Sequence, residues 1–124
     1  MEPKKYNLED RLINYTCSMI DLIEGLPNSR AGNYIAVQLI RSCHSPTFNY
    51  GEVQGAESRN DFIHKFAIVL KELKECRIAL KIIIKRIMVN PVSKPEILLL
   101  ETEQLIAIVA KSIATAERNM PPKT

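Results

Sequence analysis

Tryptophan is missing from this 124-residue chain, which also has only four glycines and few aromatic residues. No glycine-rich phosphate loop, Gly-x-Ser-x-Gly turn or zincin motif occurs in it. Long apolar runs are missing as well, because three basic residues interrupt the most apolar stretch, residues 78–89: Lys81, Lys85 and Arg86. A transmembrane helix needs roughly 18 to 20 predominantly apolar residues. We therefore predict that the chain is not an enzyme, binds no cofactor and does not enter a membrane.

Cysteine is scarce too, and its spacing excludes the usual cross-linked scaffolds. The three cysteines are odd in number and form no Cys-x-x-Cys pair: Cys17, Cys43 and Cys76. This usage fits neither a disulfide framework nor a zinc site. The first six residues, MEPKKY, lack the apolar core of a signal peptide. We predict a cytoplasmic location and cysteines that serve as small core residues.

Two short patterns bear on metal binding or catalysis, and both are weak. A di-iron site in a helix bundle needs Glu-x-x-His on two helices, whereas this chain has a single Asp61-x-x-His64. Asp61 is better explained as a first-turn acid that the helix dipole favours. Cys43 and His44 are adjacent, so on a helix their side chains point about 100° apart and make a poor nucleophile and base. No metal ligand and no catalytic residue is predicted.

Apolar residues recur with helical spacing in four segments, of which the third is the clearest. Its apolar residues step alternately by four and three: Phe62, Phe66, Val69, Leu73, Cys76, Leu80, Ile83 and Ile87. Such spacing is typical of a helix packed nearly parallel or antiparallel to its neighbours. Ser58-x-x-Asp61 predicts a capping box at its start, and Asn90-Pro91 predicts its end. The resulting helix, Asn60 to Val89, is about 45 Å long.

The other three segments have similar stop and start signals. Their predicted bounds, in chain order, are Leu8 to the Gly25-Leu26-Pro27 stop, about Arg30 to about Gly55, and about Ser93 to about Asn119 before Pro121-Pro122. Connections of a few residues favour antiparallel neighbours. The predicted fold is all-α, an antiparallel up-down-up-down four-helix bundle, with residues 1–124 forming a single domain.

The fourth helix has more apolar surface than a bundle seam needs. On a helical wheel its apolar arc is about 200° wide, roughly twice the width of a seam. The third helix shows a smaller excess. We predict that these residues form a self-association interface: Leu99, Ile106, Ile113, Ile78 and Ile82. The alternatives are a core broader than a strict seam, or a surface that receives another protein.

Positive charge is concentrated in one segment. Residues 60–90 hold seven Lys/Arg against three Asp/Glu, so the whole net charge of +3 comes from the third helix. Five basic residues fall within an arc of about 120° on its wheel: Lys71, Lys74, Arg77, Lys81 and Lys85. Such a stripe predicts binding to RNA or DNA backbones, and the alternative is a solvated helix face rich in lysine. No aromatic residue interleaves with these positions in the sequence, so base stacking there has no support.

A polar group lies on the predicted inner side of the second helix. Ser45, Asn49 and Glu52 are spaced by four and three residues, close to Pro46. Proline removes one backbone hydrogen bond from a helix. We predict a buried polar network that fixes the register of the helix and satisfies the groups that Pro46 frees, although a ligand site is the alternative.

The segment Arg41-Ser-Cys-His-Ser-Pro-Thr-Phe-Asn49-Tyr-Gly-Glu52, with Ser58-Arg-Asn-Asp-Phe-Ile-His-Lys65 after it, resembles a known pattern. It is similar to the bacterial four-helix bundle proteins of the 23S ribosomal RNA intervening-sequence family, also called S23 ribosomal proteins. The specific match covers about residues 39 to 80. One departure is Val53, which stands where the family usually has glycine.

The resemblance implies a symmetric homo-oligomer, a pentamer, related to the pentameric accessory proteins of diversity-generating retroelements, which are associated with nucleic-acid binding. Together with the basic stripe, it leads to our first hypothesis, a cytoplasmic, non-enzymatic homo-oligomer that binds RNA or DNA. The second hypothesis is a protein-interaction adaptor that uses the apolar surface of the fourth helix.

Overall fold

The computed structural model describes residues 7–119, and these residues form four α-helices. The helices are α1 (Leu8–Glu24), α2 (Arg30–Gln54), α3 (Arg59–Lys85) and α4 (Ser93–Arg118). No strand occurs between residues 7 and 119, which confirms the predicted all-α class. The inferences from residues 1–6 and from Pro121-Pro122 concern parts of the chain outside these bounds. That all of residues 1–124 form one domain stays a prediction for the same reason.

Polar side chains cap the first three helices, which explains why their starts match the sequence prediction. Asn7, Ser29 and Ser58 each accept a hydrogen bond at 3.0 Å from the backbone N–H three residues later. The Ser58 half of the predicted capping box is thus confirmed, whereas the Asp61 carboxylate accepts from the Glu57 N–H at 3.1 Å and not from that of Ser58. Each such cap stabilises a helix start by about 1 kcal/mol.

Helix α3 ends at Lys85, four residues before the predicted Val89. The N–H of Ile87 donates to the carbonyl of Ile84 at 3.1 Å, and that of Met88 donates to Ile83 at 3.0 Å. This pair of bonds is the Schellman motif, which places the residue after the C-cap in the left-handed region. Ile87 occupies that position with φ 49°. The prediction was wrong because the apolar spacing continued past a local backbone turn.

Adjacent helices run antiparallel, as side-chain pairs along each interface show. Between α2 and α3, Arg41 lies against Glu75, and the rings of Tyr50 and Phe66 are 5.9 Å apart. Residue numbers therefore rise along α2 as they fall along α3. At the start of α3, the Arg59 guanidinium donates to the carbonyl of Asn119, the residue that follows α4. The start of α3 thus meets the end of α4, as in an antiparallel pair.

Contacts of α1 close the bundle. Thr47 of α2 donates its hydroxyl to the Leu12 carbonyl at 3.2 Å. On the other side of α1, the hydroxyls of Tyr15 and Thr102 are 2.7 Å apart, and Arg11 pairs with Glu101 at 2.6 Å. Each helix thus packs against its neighbours in chain order, and α1 returns against α4.

One core runs between the four helices, and the predicted seam of α3 forms much of it. Six of the eight seam residues are buried: Phe66, Val69, Leu73, Cys76, Leu80 and Ile83. Ile87 is an exception at 71% exposed, because the helix ends before it. Cys43 and Cys76 are buried as predicted, but Cys17 is exposed, since it lies off the apolar stripe of α1. Val53 is buried at 3% exposed, so the side chain at this departure from the family pattern belongs to the core.

Candidate functional site

The basic residues predicted on α3 lie along one outer side of the bundle. Lys71, Lys74, Lys81 and Lys85 are exposed. With a rise of about 1.5 Å per residue, they span roughly 21 Å along the helix. We call the set of these four lysines with Arg77 the basic face.

Arg77 differs from the four lysines in depth. It is only partly exposed, and its Nε atom is buried without a hydrogen-bond partner among residues 7–119. An arginine can keep its stem packed while its guanidinium reaches outward. Arg77 therefore contributes charge to the basic face from the side of α3 that turns toward the core.

The four lysines have no ion pair within the part of the chain that the structure describes. The two acids in the middle of α3 are turned toward α2 instead. Arg41 Nη1 lies 3.0 Å from Glu72 Oε1, Arg41 Nη2 lies 3.0 Å from Glu75 Oε1, and the Ser42 hydroxyl donates to Glu75 Oε1 at 2.9 Å. Glu72 is nearly buried, at 6% exposed. Arg41 thus offsets acidic charge beside the lysines, so the lysine side of α3 stays net positive.

The pKa of the Glu75 carboxyl reflects this arrangement. Partial burial pushes the pKa up, but the hydrogen bonds from Ser42 and Arg41 and the charges of Arg41 and Lys71 outweigh that effect. The pKa therefore lies below its usual range, and Glu75 stays ionised and held by α2 at neutral pH.

A groove of about 420 Å³ lies between α2 and α3, and it reaches the basic face. Its walls include Lys71, Lys74 and Glu75 together with Tyr34, which is 67% exposed. Sequence reasoning missed Tyr34 because about forty positions separate it from the lysines. Only the antiparallel pairing of α2 with α3 brings an aromatic ring beside them.

The residues predicted for self-association fall into two groups. Ile78 and Ile82 are exposed, at 54% and 44%, and both line the groove beside the lysines. The three residues of α4 are partly buried and pack against the core: Leu99, Ile106 and Ile113. These three side chains pack against the monomer core, because the bundle uses a wider arc of α4 than a strict seam. They stay partly exposed, so their place in a self-association interface remains a prediction. The exposed large apolar side chains of α4 are Ile97 and Leu100, at 65% and 62%.

The predicted polar network on α2 is only partly assembled. The Asn49 amide donates at 2.9 Å to both the hydroxyl and the carbonyl of Ser45. Glu52, however, is exposed, so its place in a buried network was predicted wrongly. Beside Pro46, the Thr16 hydroxyl of α1 donates to the Cys43 carbonyl at 3.0 Å. The polar contact next to the proline thus comes from another helix.

Cys43 and His44 come close but lack the chemistry of a nucleophile and base. The Cys43 sulfur is 3.6 Å from His44 Nδ1, yet Nδ1 is also 2.6 Å from the Ile40 carbonyl, which can only accept. Nδ1 must therefore carry a proton and cannot take one from the thiol. Burial raises the pKa of Cys43 to about 11, so the thiol stays neutral at pH 7.

Neither a metal cluster nor a membrane helix is found in the structure from residue 7 to residue 119. No group of three or more His, Cys, Asp or Glu side chains there could hold a metal ion. Asp61 binds the Glu57 N–H and pairs with Lys65 at 3.1 Å. None of the four helices is long and apolar enough to cross a bilayer.

The described residues thus define an antiparallel four-helix bundle with a basic outer face on α3. No protein-family model and no curated protein matches the chain. The structure is similar to that of a protein of unknown function from the S23 ribosomal protein family of Bacteroides thetaiotaomicron, with a TM-score of 0.78 and 24% sequence identity. The match covers 86% of this chain and 98% of that protein. The fold implied by the sequence resemblance is confirmed, and at this identity the likeness establishes the fold alone.

Proposed function

We propose that this protein is a cytoplasmic, non-enzymatic homo-oligomer, of the 23S rRNA intervening-sequence type, that binds RNA or DNA backbones through the basic face of α3. The observation that carries the proposal is the row of exposed lysines without ion pairs among residues 7–119. A row of roughly 21 Å matches about six phosphate steps of 3.4 Å along one strand. Its charge attracts phosphates at long range with little sequence preference.

Assembly into a symmetric ring, a pentamer by the resemblance, is part of the proposal. Each copy repeats the basic face, so one nucleic acid can contact several copies at once and gain avidity. Ile97 and Leu100 are the exposed apolar side chains of α4 that a neighbouring copy can cover. They add to the three predicted α4 residues, which keep part of their surface exposed.

Light-scattering mass, measured with and without a mixed-sequence RNA, tests both parts. We expect a defined oligomer that gains RNA mass at low salt and loses it at high salt. A monomer with no change of mass on adding RNA would contradict both the assembly and the binding. Mass that stays bound at high salt would contradict the electrostatic mechanism.

A second function is favoured by the exposure of Ile97 and Leu100. In this alternative the protein is an adaptor that binds a partner protein through α4. Ile97→Asp with Leu100→Asp separates the two uses of this surface. If the variant falls to a monomer, the surface joins copies of this chain, whereas an unchanged mass with loss of a co-purifying partner supports the adaptor.

A further inference from the structure

The groove between α2 and α3 combines three kinds of surface within about 420 Å³. Ligand pockets commonly measure roughly 300–1,000 Å³. We name it the Tyr34 groove after its exposed aromatic ring, and its walls also include Gln38, Lys71, Lys74, Glu75, Ile78 and Ile82. The Glu75 carboxylate is held at Oε1 by Ser42 and Arg41 of α2. The lysines supply positive charge, the isoleucines supply apolar wall, and the ring of Tyr34 supplies a flat face that is 67% exposed.

An exposed aromatic ring beside unpaired lysines is the arrangement that binds single-stranded nucleic acid. Proteins that bind single strands combine a positive groove for the backbone with aromatic side chains on which bases stack. A duplex offers its phosphates to the lysines but keeps its bases stacked inside, out of reach of a ring on a helix face. Tyr34 therefore adds a contact that only an unpaired base can make.

We propose that the Tyr34 groove binds an unpaired nucleic-acid strand, an inference that rests on the proposed function. One base stacks on the Tyr34 ring, and the neighbouring phosphates lie at Lys71 and Lys74. The apolar side chains of Ile78 and Ile82 line the groove beside that base. The protein then prefers single strands to duplexes, although the remainder of the basic face binds both.

Charge favours this occupant over a second copy of the chain. The Tyr34 groove shares Lys71 and Lys74 with the basic face. In a twofold contact between two such grooves the lysines would outnumber the Glu75 carboxylates, which Arg41 and Ser42 already hold, so the net positive charges would oppose association. An unpaired strand brings negative charge to the lysines and a flat ring to Tyr34 at the same time.

The test uses the full chain and two probes, a 12-nucleotide oligo(U) RNA and a 12-base-pair duplex, with binding followed by fluorescence anisotropy. Alanine substitution of a stacking residue costs about 5- to 150-fold in affinity per base. We expect Tyr34→Ala to weaken oligo(U) binding within that range and to leave duplex binding within about twofold. Tyr34→Phe keeps the aromatic face and should bind like the wild type, whereas Tyr34→Leu should behave like Tyr34→Ala.

Phe48 provides the matched control. It is an exposed aromatic residue on the same helix, at 71% exposure, but it does not line the groove. Phe48→Ala should leave the binding of both probes unchanged. A 2-aminopurine base placed in the single strand should lose fluorescence on binding to the wild type but not to Tyr34→Ala, because stacking on the ring is the quenching contact.

The experiment distinguishes failure of the single-strand site from failure of the proposed function. If Tyr34→Ala weakens neither probe, or weakens both equally, the single-strand site is refuted, while loss of binding in Lys71→Gln with Lys74→Gln still supports the proposed function. If the lysine variants also bind as the wild type does, the proposed function fails as well. If Tyr34→Ala changes the light-scattering mass without RNA, the groove joins two copies and the inference is overturned.

Discussion

Removing two lysines at one end of the basic face should reduce the salt dependence of nucleic-acid binding by a calculable amount. Lys81 and Lys85 are exposed and lie outside the Tyr34 groove. They form no ion pair among residues 7–119. Lys81→Gln with Lys85→Gln therefore removes two charges without breaking an ion pair of the described residues.

The magnitude follows from counterion release. For duplex DNA, log K falls with log salt at a slope of about −0.9 per phosphate contacted. Five contacts, one for each residue of the basic face, give a slope of about −4.5. Between 50 and 200 mM salt the affinity then falls roughly 500-fold. With two contacts removed, the slope becomes about −2.7 and the fall only roughly 40-fold.

Fluorescence anisotropy of a labelled 20-base-pair duplex over this range of salt measures the slope. The matched control is Lys94→Gln with Lys111→Gln, which removes the same charge from exposed positions on α4. We expect the control to keep the slope of about −4.5. The reasoning is refuted if both double variants shift the slope equally, because net charge would then explain the effect, or if neither does.

Three predictions concern stability. Ile87→Gly should raise the free energy of unfolding by about 0.5–1 kcal/mol in urea titrations, because Ile87 has φ 49° and is exposed. Ile87→Val should give no such gain. A lower free energy of unfolding in the glycine variant would show that the left-handed turn is not strained. Leu80→Ala should cost about 2–5 kcal/mol because the side chain is fully buried, whereas Val37→Ala should stay within about 0.5 kcal/mol because Val37 is 66% exposed; equal losses would contradict the described core. The Glu57 N–H and Lys65 lower the pKa of the Asp61 carboxyl in the folded protein. The contribution of Asp61 to stability is therefore fully present above the unfolded pKa of about 3.9, and it is lost as pH falls through the lower folded pKa. Asp61→Asn should therefore flatten the loss of stability on acidification, and parallel curves for the two proteins would reject this assignment.

Much of the fold could be predicted because its determinants are local. The start of α3 at Ser58 needs only a serine and an acid three residues apart, and the end of α1 needs only the glycine that follows Glu24. The end of α3 could not be predicted, because an isoleucine occupies a position where glycine is the usual signal. Apolar spacing alone does not report a left-handed turn.

Only part of the candidate site could be predicted from the sequence, again for a physical reason. The lysines of the basic face lie on one helix, where a spacing of three and four places side chains together. Glu52 has a helical spacing from Ser45 and Asn49 but is exposed, because the buried stripe of α2 passes through its neighbour Val53, whose side chain points about 100° away. Whether a side chain near a helix end is covered depends on the neighbouring helices.

The sequence by itself determined the helix count, the buried stripe of α3 and the accumulation of positive charge on one helix, because periodicity and composition act within a single segment. Only the tertiary structure decided which surfaces remain free. It showed that Leu99, Ile106 and Ile113 pack against the core, and that Arg41 pairs with both acids in the middle of α3. It also placed Tyr34 beside Lys71 and Lys74. These contacts join residues far apart in the chain, and the packing of one helix against another is what brings them together.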